Sequence, residues 1–590
     1  MLPYVIHVLV IVLLVPQNAI AQLSLPSSPW LPPNASSGAV PSTTDRSPNP
    51  QWITLLGDLI YFYEEQRSGT LPSTNRVSWR NSSAVDDGED VGLDLSGGYY
   101  DAGDYIKATF PLAFTAMSIC WGANDFGQGY DLANQTAYLD DMIRWTMDWL
   151  MKAHPSNNTL YVQVADGNLD DAYWGGDLGI PTPRPSYQIN DTAPGTDAAA
   201  GTAAAFSACS ALYANRALGG TSSNTTNTTT SPFSAPASLQ NSTYATLLLS
   251  HAEALHEFAT NATAGLQTYQ TSVPEAGTAY ASSSYGDELA ISALMLAWAS
   301  NSSDRYEEAV GYWQDYGLSG QDQVFNWDSK GPGFAVLATQ LSLVEPGLVG
   351  NLTGWQSEAE SYFDTIVNGT GRSSQTDGGL LWYPGDSDEV SLNPALNAAM
   401  LLARYAPIAS TDDKKTSYLN FANQQLNYVL GKNPMNAPYI VGTNPNAPAN
   451  PHSAMASGGN DISNIDTDPE TEAYVLYGAV VGGPDPSDKF WDIRSDWVET
   501  EVALDYNAPM LTLAAWHVLN DSSDPFYTSL AAGSYSRPKG SPCDAALPCP
   551  IPPLSWKGKV GMGVAIGVVG LVIVGLTLYL LIAGRRNKVG

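Results

Sequence analysis

Three stretches of this chain bring carboxylates, an imidazole and glycines together where a folded backbone could aim them at one point. In Gly97-Gly98-Tyr99-Tyr100-Asp101-Ala102-Gly103-Asp104-Tyr105-Ile106-Lys107 two aspartates stand three positions apart in a glycine-rich turn, with a lysine behind them. Carboxylates fixed in such a turn suit the activation of water by a general base. The same residues also read as an acidic turn with a helix-capping aspartate, or as a calcium loop. A second stretch runs from Gly431-Lys432-Asn433-Pro434 through Tyr439-Ile440-Val441-Gly442 to Asn450-Pro451-His452-Ser453 and carries one histidine. The third, Asp492 to Ala508, is an acidic run containing Glu499, Glu501 and Asp505 at the entry of an apolar helical pattern. A helix start favours such charge through the dipole alone.

Helices must position these stretches. Apolar residues recur at three- and four-residue steps, as in Trp145, Trp149 and Leu150 or Leu289, Ala293 and Leu296, which predicts amphipathic helices. Twelve are expected, near Trp52 to Gln66, Lys107 to Trp121, Thr136 to Ala153, Asp197 to Ala217, Leu239 to Ala259, Gly286 to Ser300, Ser303 to Tyr316, Gly333 to Val344, Gly354 to Val367, Leu392 to Tyr405, Lys415 to Leu430 and Ala508 to Leu519. Strand signals are short, at Thr159 to Val164 and Pro438 to Gly442, so an all-α toroid is the expected class. The long connections Pro155 to Thr196, Thr268 to Tyr285 and Gly431 to Tyr506 are of the length that usually carries function.

A chain of 590 residues with 44% hydrophobic residues, 16 Trp and 31 Tyr has ample material for a core. Its net charge of -33 opposes binding to nucleic acid or anionic lipid and leaves neutral substrates open. Residues 1–21 read as a signal peptide, with an apolar core from Val5 to Val15 and Ala19-Ile20-Ala21 as the cleavage site. Residues 560–583 are apolar enough for one membrane-spanning helix, and Arg585, Arg586 and Lys588 behind it would place the tail in the cytosol and the body outside, as in a single-pass type I protein of the cell membrane. A glycolipid-anchor signal is the rival reading of that end. Between the ends, 22–50 reads as a Ser/Pro-rich linker, 51–528 as the body, 219–241 as a Ser/Thr/Asn-rich insertion, 529–559 as a Pro-rich stalk and 584–590 as a basic tail. Cys543 and Cys549 suit a small disulfide loop, while Cys120 and Cys209 read equally as buried thiols or a bridge. Thirteen Asn-X-Ser/Thr sequons, from Asn34 to Asn520, mark exposed positions in an extracellular chain.

Taken together, the three stretches resemble the signatures of glycoside hydrolase family 9, inverting β-glucanases often called cellulases, over most of Trp52 to Leu519. Gly97 to Asp104 is similar to that family's Gly-Gly-aromatic-Tyr-Asp-Ala-Gly-Asp motif, with Lys107 and Phe110-Pro111 in the usual following places. Gly431 to His452 resembles the second signature and Asp492 to Ala508 the third, with lesser echoes at Pro183-Arg184, Pro194-Gly195-Thr196, Asp287-Glu288-Leu289 and Trp327-Asp328-Ser329-Lys330. The resemblance implies an (α/α)6 barrel with long active-site loops and hydrolysis of internal β-1,4-glucosidic bonds, with Asp104 as general base, Asp101 as its partner in holding water and Glu501 as general acid. It further implies that Tyr506 lines the cleavage subsite and that His452 contacts the sugar. Glu499 is the competing acid, and the spacing from Trp497 favours Glu501.

Sugar binding needs aromatic platforms, and the loops supply Tyr173, Trp174, Trp382, Tyr439 and Trp497 as candidates. Arg184 could bond sugar hydroxyls or serve in an ion pair. The chain departs from the family where Pro451-His452-Ser453-Ala454 lacks a second histidine and an arginine, where Asp170-Asp171-Ala172-Tyr173-Trp174 carries an aspartate in a frequent histidine place, and at Tyr105. Linkage preference is therefore open, from cellulose-like chains to another β-glucan or an amino-sugar polymer, and a silent carbohydrate-binding surface protein is the reading from another class. No cofactor is expected, calcium cannot be argued from these spacings, and the expected partners are a β-glucan and a membrane, with the protein a monomer.

Overall fold

The structure, a computed structural model, describes residues 22–35, 41–42, 46–218 and 233–549, together with position 576. Twelve long helices follow one another as α1 (Pro50–Glu65), α2 (Thr109–Asp125), α3 (Thr136–Ala153), α4 (Thr196–Tyr213), α5 (Ser242–Asn261), α6 (Gly286–Ser300), α7 (Ser303–Asp315), α8 (Gly331–Val344), α9 (Leu352–Asn368), α10 (Leu392–Tyr405), α11 (Asp412–Val429) and α12 (Leu504–Asn520). The even-numbered helices are apolar or small-residued almost all round, and α2, α4 and α10 are buried at every position. A helix of that kind must lie inside other helices. Most odd-numbered helices keep a polar side, as in α7, where only Ala309 and Trp313 are buried.

The packing follows from this difference. Each even helix packs on the next, α2 on α4, α4 on α6, α6 on α8, α8 on α10 and α10 on α12, and α12 closes the ring on α2. The odd helices lie outside: α5 on α4, α7 on α6, α9 on α8, α11 on α10, α1 on α12 and α3 on α2. This is the (α/α)6 barrel. Antiparallel hairpins send every odd-to-even connection to one end of the ring, where the long loops gather. The twelve expected helices are these twelve.

Two features differ from the expected all-α body. A three-stranded antiparallel sheet pairs Lys107–Ala108 with Thr159–Val164 and that strand with Ser186–Asn190. A small hairpin pairs Ser374–Gln375 with Leu381–Trp382. Both lie in odd-to-even connections, whose backbone groups need partners that no helix supplies. Cys120 and Cys209 form a disulfide between α2 and α4, and Cys543 and Cys549 form another.

The chain outside the helices is in part tied to the barrel. Leu23 donates its N–H to Asp140 of α3, and Trp30 donates its N–H to the Tyr138 hydroxyl. Residues 1–21 and 219–232 lie outside the described residues, but Phe233 is buried and Ala237 donates its N–H to Ala123. Tyr535 donates its hydroxyl to the Phe490 carbonyl. The chain divides into two compact units, 1–542 and 543–590; in the second the described part is the 543–549 loop, closed by its disulfide, and position 576.

The expectation of a C-terminal membrane-spanning helix, and with it a single-pass type I placement in the cell membrane, is corrected. Among the described residues no helix is long and apolar enough to cross a membrane. A span needs about 20 consecutive apolar residues, whereas the 20-residue α5 alternates buried with polar, exposed positions. Segment 560–583, which carried the expectation, lies outside the described residues apart from Leu576.

Candidate active site

The acidic turn is built by its glycines and its lysine. Gly97 and Gly98 adopt φ of +91° and +71°, in the left-handed region that favours glycine. A Cβ on Gly98 would also strike the Trp149 indole. The Gly98 carbonyl accepts from Trp145 Nε1 at 2.7 Å and from the Ser68 N–H at 2.9 Å. Lys107 is wholly buried and donates Nζ to the carbonyls of Leu95 (2.6 Å) and Gly97 (3.1 Å). Its charge is met by Asp87 at 2.7 Å, and burial brings its ammonium down to about 8. Asp87 also takes Arg184 Nε at 2.7 Å. Arg184 therefore lies in a buried ion pair behind the turn, the second of its two expected settings.

Backbone hydrogen bonds lace the three stretches into one unit. Asp101 donates its N–H to the Ile106 carbonyl (3.0 Å) and closes the turn, while the Asp101 carbonyl accepts from Leu504 at the start of α12 (3.1 Å). Ala454 donates to Gly103 (2.8 Å), His452 to Thr500 (2.8 Å) and Gly482 to Glu501 (2.9 Å). Gly103 must be glycine, because a Cβ there would penetrate the His452 carbonyl. Its N–H lies close enough to the Glu501 carboxyl to lower that group's proton affinity, and the Glu501 backbone bridges to His452. Thus Glu501 sits beside the turn that carries Asp101 and Asp104, nearly four hundred residues earlier in the chain.

Each carboxyl has its own setting. Asp101 is 3% exposed and accepts a hydrogen bond from the Tyr280 hydroxyl. Burial lifts it to about 7, with the Tyr280 bond opposing. Asp104 holds a buried Oδ1 with no partner among the described residues. Burial raises its proton affinity well above the ordinary range, and Asp170, Glu501, Asp101 and Asp171 add to it. Glu501 is pushed up to about 8, chiefly by burial and then by Asp101, Asp505 and Asp171, against the Gly103 N–H. Asp505, 2% exposed, accepts from Asn393 Nδ2 at 3.0 Å and is raised by burial and Asp101 to about 8. Glu499 turns the other way: it is 1% exposed, and its carboxyl accepts the Trp491 N–H at 2.7 Å. Among the described residues, Asp101, Asp104, Asp170 and Glu501 do not converge closely enough to share one metal ion.

The expected sugar contacts separate into two groups. His452 donates Nδ1–H to the Arg494 carbonyl at 2.7 Å, which leaves Nε2 as an acceptor. Its ring lies 5.0 Å from that of Trp174. Trp174 lines a cavity of about 310 Å³ with Trp79, Tyr173 and Tyr474. Tyr506 is half-buried at the start of α12, close enough to Glu501, Asp505 and Asp101 for their charge to act on it. Trp382 and Tyr439 instead belong to the main apolar core, at 7% and 0% exposure, with Tyr439 packed on Phe490. Trp497 is exposed.

Four residues of the site had no signal of this kind in the sequence. Tyr280 reaches Asp101 from the Thr268 to Tyr285 connection, whose length alone marked it, and rests its ring edge-on against Trp327 at 5.0 Å. Trp79 and Tyr474 stack at 5.0 Å with planes 8° apart, on loops almost 400 positions distant in the chain. Asn393 reaches Asp505 from the start of α10.

Comparison with known proteins matches residues 52–514 to glycosyl hydrolase family 9. Endoglucanase A of Bacillus pumilus is 36% identical over 467 residues, covering 78% of this chain and 64% of that protein. Endoglucanase 15 of Arabidopsis thaliana is 35% identical over 498 residues, covering 80% of this chain and 94% of its own length. The chain thus spans just under two thirds of the bacterial relative and nearly all of the plant one. Among solved structures, the endoglucanase of the termite Nasutitermes takasagoensis superposes with a TM-score of 0.69 at 34% identity, over 79% of this chain and 98% of that one. The cellulase Cel9M of C. cellulolyticum in complex with cellobiose gives 0.66 at 28% identity, over 79% and 98% of the two chains.

Proposed function

The chain belongs to glycosyl hydrolase family 9, and from that premise we propose that it hydrolyses internal β-1,4-glucosidic bonds of cellulose or a related β-glucan with inversion at the anomeric carbon. The observation that carries this reading is the packing of Glu501, bridged through its backbone to His452, against the Asp101–Asp104 turn, where burial and the charge of Asp101 raise its proton affinity. Inversion requires an acid on one face of the sugar and a base on the other, roughly 6.5 to 9.5 Å apart so that water fits between them.

Each residue then has one task. Asp104 takes a proton from water as the water oxygen attacks the anomeric carbon, and Asp101 accepts the second water proton as a hydrogen bond. Glu501 gives its proton to the departing glycosidic oxygen, so the site as a whole is electrically unchanged when the bond has broken. His452 Nε2 and the Trp174 ring supply a hydroxyl acceptor and an apolar face beside the cleavage point. The relatives' designations as endoglucanases and a cellulase support a β-1,4-glucan as the polymer. A protein that only bound carbohydrate would have no use for a half-buried acid held near 8 beside an unpartnered buried carboxylate oxygen.

Product stereochemistry tests the reading. NMR of a fresh digest of cellopentaose by the full chain is expected to show the α-anomer first, with the β-anomer growing in by mutarotation. A first-formed β-anomer, or no cleavage of any β-glucan, would overturn it. Tyr280→Phe provides a second check, because it removes only the hydrogen bond that fixes Asp101. The kcat is expected to fall about 10- to 100-fold, as for loss of a bond to a charged group, with KM little changed. An unchanged kcat would remove Asp101 from the water-holding role.

A further inference from the structure

The outer helix α11 presents an unusual surface for so acidic a protein. From Thr416 to Val429 it carries no charged residue, and its solvent side shows Thr416, Ser417, Asn420, Asn423, Gln424 and Asn427. Gln424 is held by Gln375 and Gly379. By contrast the side-chain amides of Asn420, Asn423 and Asn427 have no hydrogen-bond partner among the described residues. Two cavities adjoin along this row, since Asn423 and Asn427 line both. One, of about 310 Å³, opens toward Gly378 and Lys432. The other, of about 260 Å³, is bounded by Trp52, Trp516, His517 and Asn520.

The chemistry of this groove is specific. Trp516 is half-buried and meets His517 edge-on at 4.6 Å, while His517 stacks on Trp52 at 4.1 Å. The carboxylates at that end are already engaged, Asp521 by His517 and Asp524 by Asn49 and Ser42. What faces the solvent is a row of neutral amides beside the half-buried Trp516 indole, with Trp52 and His517 buried behind it and the engaged carboxylates Asp521 and Asp524 at the far end. Primary amides both donate and accept, as sugar hydroxyls do, and aromatic rings receive the apolar face of a sugar. An anionic polymer would find only Lys432 as a cationic lining residue. At 1.5 Å per residue Asn420 to Asn427 extends about 10.5 Å, more than one sugar residue of an extended chain. Trp516 lies twelve residues along α12 from Leu504, about 18 Å from the end that adjoins Glu501.

We propose that this groove is an accessory binding site for a neutral β-glucan chain, distinct from the cleavage site; it rests on the reading of the protein as a β-glucan hydrolase. The groove would hold the polymer on the enzyme's flank while another part of it is cut.

The test is affinity electrophoresis of the full chain in gels containing hydroxyethylcellulose, in a Glu501→Gln background that leaves the polymer intact. Adding Asn423→Ala and Asn427→Ala is expected to raise the dissociation constant about fivefold or more, as for loss of one or two neutral hydrogen bonds. With Glu501 restored, the same pair should leave kcat/KM on cellotetraose within about twofold, since that substrate is too short to engage both sites. Circular dichroism melts of the pair confirm that the fold is kept. Unchanged retardation would overturn the groove, and so would an equal loss on cellotetraose, which would place these amides in the cleavage site. A chain whose retardation depends on Asn423 and Asn427 but which cleaves no glucan would overturn the proposed activity and leave the groove supported.

Discussion

Glu501→Gln is expected to lower kcat on a soluble β-1,4-glucan about 10²- to 10⁴-fold while substrate binding persists. Glutamine keeps the shape of the side chain but has no acidic proton to give the departing oxygen. An aryl cellobioside with a good leaving group needs no such proton, so its cleavage should fall far less, and the ratio of the two losses identifies the acid. The pH profile gives an independent reading. Glu501 works protonated and is held at about 8 by burial and its carboxyl neighbours, so wild-type kcat/KM should decline as pH rises through about 8, and that limb should vanish in the variant. Stability moves with the same group. Unfolded, Glu501 releases its proton in the ordinary carboxylate range; folded, it holds the proton to about 8, so between these values the unfolded chain binds fewer protons and stability falls as pH rises. Glutamine lacks this cost, and the variant should melt higher than wild type at pH 7 but not at pH 4. Glu499→Gln should leave the profile in place, because that carboxyl is turned inward to the Trp491 N–H. If Glu499→Gln abolished turnover while Glu501→Gln did not, the acid assignment would be wrong.

Asp104→Ala should be equally damaging, about 10²- to 10⁴-fold in kcat, through loss of the base. Alanine leaves space where the carboxylate stood, so added azide, which needs no deprotonation to attack, should restore cleavage and give an α-glycosyl azide. A β-azide would mean attack from the wrong face. Asp104 works ionised, and its proton affinity is raised by burial and by Asp170, Glu501, Asp101 and Asp171. The acidic limb of wild-type kcat/KM should therefore lie above the ordinary carboxylate range. A limb at or below pH 4 would show that some other group is the base.

The parts of this site that were legible in the sequence are those fixed by neighbours along the chain. The two glycines, two aspartates and lysine of the turn act within eleven residues, and the left-handed φ at Gly97 and Gly98 is a local demand that only glycine meets freely. The positions of the outer helices were legible for the same reason, since the buried face of an amphipathic helix repeats at the helical period. The burial of α4 on every side follows from its run of alanines and other small residues. Aromatic type, however, does not say which way a ring points. Trp174 lines a cavity beside His452, whereas Trp382 and Tyr439, equally placed near turns, went into the core.

What the sequence determined by itself, then, was the inventory and its local geometry: a barrel of twelve helices, an acidic turn, a histidine loop and a second acidic stretch. The tertiary structure decided the pairings across long separations. Asp101 meets Tyr280 from 179 positions away, Arg184 is taken by Asp87 at a separation of 97, and Cys120 joins Cys209 at 89. It also decided proton affinity, which the residue type leaves near its ordinary value. Taking a carboxyl out of water and placing it among other carboxyls penalises the charged form, and neither the burial nor the neighbours of Asp104 and Glu501 exist until the ring closes and α12 meets the turn before α2.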